Sequence, residues 1–172
     1  MTDDIAGPEQ ARRFTRIALN AWKGAVGRFD DVVAAITDEE LEHALISGNS
    51  RLLYLIGHLT ALHDRLLSQL GLGDRRHSEL DADFAGELDV RRPSLHSATR
   101  IRALWNEVNH ALLSGMERLT PEEWLEAPKT VADEASRLRT LIRWTDHVKR
   151  HASQIEVAGL RLAQARSSPQ YA

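Results

Sequence analysis

The stretch RLRTLIRWTDHVKRHASQIEVAGLRLAQA, residues 137–165, decides the fold. Its apolar residues Leu138, Leu141, Trp144, Val148, Ala152, Ile155 and Leu162 recur at the spacing of one helix face, and nothing in it alternates with a period of two. Ser136 stands just ahead of it as a helix cap. A helix this long crosses a whole domain, so its stripe needs partners of similar length. The same stretch carries His147 and His151, whose spacing of four brings their Cβ atoms to about 5–6 Å on a helix. Two imidazoles so placed can chelate one ion. The spacing alone is a weak motif, and two solvated surface histidines are the alternative, but the place of both inside one long helix strengthens the chelating reading.

Working outward, three further segments supply the partners. The first is expected from Pro8, a residue suited to a first helical position, to Ile36, with Phe14, Ile17, Ala18, Ala21, Trp22, Ala25, Phe29, Val32 and Ile36 as its apolar face. The second runs from about residue 50 to Leu70, capped by Asn49 or Ser50 and stopped by Gly71, with a stripe of Leu52, Leu55, Leu59, Leu62, Leu66 and Leu70. The third runs from Ser97 to Leu119, with Ile101, Leu104, Trp105, Val108, Leu112, Met116 and Leu119 on one side. Four such segments predict an all-α protein, most economically a four-helix bundle, in one domain over residues 1–172 with a frayed tail from about Arg166.

The connection from Gly71 to Leu95 is long, because helix–helix loops in bundles usually take about two to eight residues. It contains Leu80, Phe84, Leu88 and Val90, so it is expected to pack rather than dangle, as a crossover lying over one end of the bundle. Leu80 and Phe84 should be at least partly buried. One internal echo follows helices one and three: Thr37-Asp38-Glu39-Glu40-Leu41 and Thr120-Pro121-Glu122-Glu123-Trp124 both fit a capping box. A duplicated helix pair is one reading. The plainer reading is that capped turns use this chemistry often.

Composition narrows the chemistry. The chain has no cysteine, which removes disulfides, thiolate metal sites and cysteine nucleophiles, and fits a reducing, cytoplasmic setting. Its formal net charge of −3 is spread among mixed charges, so no nucleic-acid-binding surface is expected. The acidic start Met1-Thr2-Asp3-Asp4 has no apolar run behind it, so no signal peptide is expected, and no stretch is apolar enough to span a membrane.

Any metal must then be held by His, Asp or Glu, and the chain has eight histidines. At about 100° per residue, His147 and His151 fall on one flank of the stripe centred on Val148, about 100° and 60° away, with Gln154 on the same flank. His58 lies about 100° from Leu59 on the second helix, also beside its stripe. His63 points about 140° away from His58 and is left out as a ligand. His110 reads as structural, and His43, His77 and His96 as surface residues. Asp64, Thr145 and Asp146 are candidates to orient the ligating rings, although Asp146 also reads as a solvated helix residue. Trp22, Trp105 and Trp144 sit at stripe spacing near the bundle centre, where core packing outweighs a role as pocket floor.

Gly57-His58-Leu59 on the second helix, followed late in the chain by His147-Val148-Lys149-Arg150-His151-Ala152-Ser153-Gln154-Ile155, resembles the DinB/YfiT superfamily of metalloenzymes. Leu19-Asn20-Ala21-Trp22 and the long connection before helix three extend the resemblance over nearly the whole chain. It implies a four-helix bundle of unusual connectivity, often a homodimer. It also implies a site where His58, His147 and His151 hold nickel, zinc or iron(II), with Gln154 as a site neighbour and water in the remaining positions. Relatives of this kind include thiol-dependent isomerases and S-transferases, so a low-molecular-weight thiol is the implied co-substrate. Nothing in the match identifies which thiol.

Two functions follow. One is a divalent-metal-dependent enzyme acting on a small molecule, a thiol-dependent S-transferase or isomerase, or else a hydrolase. The other is a non-catalytic helical interaction or binding module whose metal site is structural or vestigial. A structural site is closed by a fourth protein ligand, whereas a catalytic one keeps a position open. The sequence offers no obvious fourth ligand.

Overall fold

The structure, a computed structural model, describes residues 8–44, 51–85, 95–128 and 135–167. Four long helices carry it: α1 (Pro8–Ala34), α3 (Leu52–Gln69), α5 (Ala98–Met116) and α7 (Arg137–Ser167). Between them lie the short helices α2 (Asp38–His43), α4 (Asp81–Phe84) and α6 (Pro121–Leu125) and a 3-10 turn at Ser78–Leu80. No strand occurs among the described residues.

The ends are set by local chemistry. Ser97 accepts from the Arg100 amide and Ser136 from the Arg139 amide, capping α5 and α7. The cap position of α3 is Arg51, which makes no side-chain cap bond; Asn49 and Ser50, expected there, lie outside the described residues. Gly71, at φ 66°, ends α3: its amide reaches the Ser68 carbonyl and the Leu72 amide the Leu67 carbonyl, a closure that needs the left-handed backbone glycine allows. Both capping boxes form, Thr37 with Glu40 and Thr120 with Glu123. Each opens a short helix that buries one large side chain, Leu41 or Trp124.

Side-chain pairings fix the directions. Arg28 meets Glu156 and Arg166 meets Glu40, so α1 and α7 run parallel. His63 meets Asn109 and Leu72 lies against Gly115, so α3 and α5 also run parallel. Asp30 meets Trp105 while Lys23 meets Glu117, which sets α5 antiparallel to α1. Arg137 donates to the Leu70 carbonyl, which sets α7 antiparallel to α3. The order is up, down, down, up. Exchanging α1–α2–α3 for α5–α6–α7 reproduces the packing pattern: α1 lies on α7 as α5 lies on α3, and α6 lies on α1 as α2 lies on α5.

Two parallel neighbours explain the long connection. The chain must return the length of α3, about 27 Å for 18 residues, before α5 can start. Residues 72–85 run back along the side of α3, not over an end of the bundle as expected from sequence. Buried Asp64 anchors it, accepting from the Arg75 guanidinium at 3.0 Å and from the Arg76 and His77 amides at 2.7 and 3.2 Å. Asp81 pairs with both Arg75 and Arg65, and these hydrogen bonds hold its carboxyl down at about 2. Leu80 and Phe84 are buried, as their apolar character predicts. Leu88 and Val90 lie outside the described residues.

The core runs along all four helices. On α1 the buried face is Ala11, Thr15, Ala18, Trp22, Ala25, Phe29 and Val33. Phe14 and Ile17, assigned to that face from sequence, are more than half exposed, and Ala21 is exposed too. Size misled there: the small Ala11 and Thr15 keep the 3.6-residue period through Trp22 and the large residues break it. α7 runs to Ser167, where Arg166 is tied to Glu40 beyond the point at which fraying was expected.

Candidate metal centre

α3 is apolar nearly all round, with Leu55, Ile56, Leu59 and Ala61 among its buried residues, so it takes the most enclosed place in the bundle. His58 interrupts that surface where α3 faces α7. On α7 the core residues Val148, Ala152 and Ile155 set the inward face, and His147 and His151 follow on its flank as the wheel predicts. The packing brings His58, His147 and His151 together, each half-buried, with one ligating atom of each within 4.8 Å of the others.

Two oxygen acceptors fix the rings. His58 Nδ1 lies 2.8 Å from the Phe84 carbonyl, and His151 Nδ1 lies 2.7 Å from the Gln154 side-chain oxygen. A carbonyl can only accept, so each Nδ1 carries the proton and donates it, and each Nε2 is left with a free lone pair. The Nε2 atoms of His147 and His151 stand 3.0 Å apart. Two ligands each roughly 2.0–2.1 Å from a shared ion stand about that far apart or a little more. Burial, helped by the nearby His151 and His58 rings and by Arg150, pushes His147 down to about 4. Burial and the charges of His58 and Arg150 also lower His151, against the opposing pull of Gln154. Both rings are therefore neutral near pH 7, the form that binds a cation. Among the described residues no acidic or further histidine side chain joins the group.

Aromatic rings wall the site. Tyr54, one turn before His58, stacks on it with centroids 5.8 Å apart and planes at 16°. Trp144 meets His147 edge-on at 5.4 Å. Phe84 is seated because position 57 is glycine: a Cβ there would overlap the Phe84 ring. That close approach is what delivers the Phe84 carbonyl to His58.

The site thus contains the three histidines and Gln154 named from sequence, but different partners orient them. Asp64 holds the connection, the Thr145 hydroxyl donates to the Leu141 carbonyl, and exposed Asp146 lies near Lys149. None of the three reaches a ligating ring. The Phe84 carbonyl was not legible, because a backbone oxygen leaves no trace in side-chain identity; the nearest signal was Gly57 beside a histidine, with an apolar ring in the connection. His63 is fully buried between Trp22 and Trp105, with centroids at 4.8 and 4.7 Å, and its Nδ1 bonds Asn109. His77 and His96, read as surface residues, are half-buried, because the connection they belong to packs on α3: His77 lies near Glu79 and Glu107, and His96 against Phe84. His43 and His110 are exposed.

No helix among the described residues is long and apolar enough to cross a membrane. No curated protein matches the chain. The family model described as the DinB superfamily matches residues 21–155, a span that includes α3, α5, all three histidines and Gln154. On that match, which covers well over half of the sequence, the chain belongs to the DinB superfamily.

Proposed function

We propose that this chain is a divalent-metal-dependent enzyme of the thiol-transfer or isomerisation type, holding its ion through His58, His147 and His151. One observation carries the reading: His58 and His151 are fixed by acceptors on Nδ1, and one ligating nitrogen of each shares a half-buried space with one of His147, with no fourth protein ligand among the described residues. Imidazole donors suit zinc, nickel and iron(II) alike, so the ligand set does not choose among them.

A cation bound there would act as a Lewis acid, lowering the pKa of a thiol or water at the position that the protein leaves open. The chain has no cysteine, so any thiolate at the centre belongs to a substrate. Stacked Tyr54 and edge-on Trp144 supply apolar walls that would orient the carbon skeleton of a small substrate and exclude water. Arg150 adds positive potential that favours an anionic sulfur. Hydrolysis by an activated water is the second chemistry that an open three-histidine centre supports. A homodimer and a cytoplasmic setting complete the reading; exposed Phe14, Ile17, Ile142, Val157 and Leu160 on α1 and α7 are the apolar surface a second copy would cover.

The test is metal analysis of protein purified without added metal or chelator, followed by assays of low-molecular-weight thiols with electrophilic acceptors. The expected result is near-stoichiometric metal and thiol consumption that stops on chelation and returns with metal. Metal-free protein that also fails to take up zinc, nickel or iron(II) would end the metalloenzyme reading. Stoichiometric metal with loss of helicity on chelation would favour a structural staple in an interaction module.

A further inference from the structure

On the far flank of α1, away from the histidines, a groove of about 260 Å³ is lined by Arg12, Thr15, Arg16, Asn20 and Lys23 and faced by Leu119 and Pro121. Residues 12, 16 and 23 fall on one side of the helix, so three cations share the groove. Lys23 is already paired with Glu117 at 2.7 Å. Arg12 and Arg16 have no acidic partner among the described residues, although like charges four apart on a helix repel. Arg28, Arg65, Arg75, Arg76, Arg102 and Arg166 each meet a carboxylate; Arg12 and Arg16 belong with the other arginines, such as Arg13 and Arg118, that do not, and differ from those in lining a groove.

A second, independent sign lies in the groove floor. Three threonines are buried on the long helices. Thr60 and Thr145 each donate to the carbonyl four residues back, at 2.8 Å. Thr15, 8% exposed and lining the groove, has no hydrogen-bond partner for its hydroxyl. A buried hydroxyl without a partner is unfavourable unless something enters to meet it.

We propose that this groove binds the phosphoryl group of a small phosphorylated metabolite. A phosphate monoester carries about −1.5 to −2 at neutral pH, matching two guanidiniums that meet no carboxylate among the described residues. Guanidinium forks fit its oxygens two at a time, and the Thr15 hydroxyl and Asn20 amide are neutral donors for the rest. Leu119 and Pro121 give the organic portion an apolar wall. The volume admits a phosphoryl group with a few carbons, not a polymer, so the groove is compatible with a chain whose overall charge is −3. None of its residues belongs to the histidine centre, so the proposal stands or falls independently of the metal.

The test is titration calorimetry on the full chain, metal-loaded and chelator-treated, at low ionic strength. The probes are inorganic phosphate, glycerol 3-phosphate and, as a dicarboxylate of similar charge, succinate. The expected result is saturable 1:1 binding of glycerol 3-phosphate with or without metal. It should weaken by about tenfold or more in Arg12→Ala/Arg16→Ala, and by roughly three- to tenfold in Thr15→Val with the melting temperature unchanged. Arg28→Ala should leave it unchanged. Equal binding of succinate, binding seen only in the metal-loaded protein, unaltered affinity in the double variant, or no saturable binding would each overturn the proposal.

Discussion

His58 and His63 stand five residues apart on α3, and each bonds an oxygen through Nδ1 at 2.8 Å. Their other nitrogens separate them. His58 offers a ligating nitrogen to a half-buried space shared with two more histidines. His63 is sealed between two tryptophans, and its Nε2 has no partner. A protonated Nδ1 and a lone pair on Nε2 are therefore not enough for a site. The lone pair must face other donors, with room left for a ligand. The remaining contrast is in the acceptor: backbone Phe84 holds His58 from the connection, whereas side-chain Asn109 holds His63 from α5.

The sharpest way to break this contrast is to remove the donors. His58→Ala, His147→Ala or His151→Ala should lower metal affinity by about a hundredfold or more, read as metal content after dialysis, while His63→Gln should keep the metal. Circular dichroism should show helicity retained in all of them, since the core extends along four long helices and does not depend on an ion. A histidine variant that keeps full metal content would remove that residue from the ligand set.

A smaller effect should follow from Gly57→Ala. The new methyl would overlap the Phe84 ring, and relieving it must shift α4 or α3. Overpacking of this kind costs about 1–3 kcal/mol, visible as a lower urea midpoint. Because the same shift moves the carbonyl that orients His58, metal affinity should also fall, by roughly 10–100-fold. Gly24→Ala has open space at its Cβ and serves as the control. Lost stability with unchanged metal affinity would separate Phe84 packing from the centre.

What could be read in advance divides along the same line. The helices, their order and the histidines that cluster were legible because side-chain identity and a 3.6-residue period encode them. Helix direction was not: Arg28–Glu156 and His63–Asn109, which set the parallel pairs, join residues far apart in sequence. Without direction, the 25-residue stretch from Gly71 to Leu95 could be seen as long but not as running back along α3. The Phe84 carbonyl, and Asp64 as its anchor, follow from that path. Phe14 and Ile17 failed for a different reason, since apolar size marks what can be buried, not which flank is covered.

The sealed histidine should show itself through pH. Burial pushes His63 down to about 3, so the folded state refuses a proton that the unfolded chain accepts near 6.5. The unfolded state then binds more protons over that interval, and stability rises with pH through it. The contribution is full above about pH 6.5 and is lost progressively as pH falls toward 3. Between pH 7 and 5 that amounts to about 2 kcal/mol, measurable by urea melts of metal-free protein. His63→Gln should reduce the slope, leaving the share of His147, which burial pushes down to about 4. An unchanged slope would mean that the acid sensitivity resides elsewhere.

The smallest effect should come from Gln154. Its oxygen holds His151 Nδ1 at 2.7 Å, but Gln154 itself is exposed, so water can replace it at little loss. Gln154→Ala should therefore weaken metal binding by about tenfold at most, the low end for partners that orient a ligating ring. Gln154→Glu tests the cause. A carboxylate keeps the acceptor, adds negative charge and makes the imidazole a stronger donor, so affinity should return to the native value or exceed it. The same change should raise His151 by charge attraction, so that gain should shrink as pH drops and protons compete with the metal for Nε2. If Glu proves no better than Ala, the bond to Gln154 does not orient His151, and an acceptor on Nδ1 would matter only at His58.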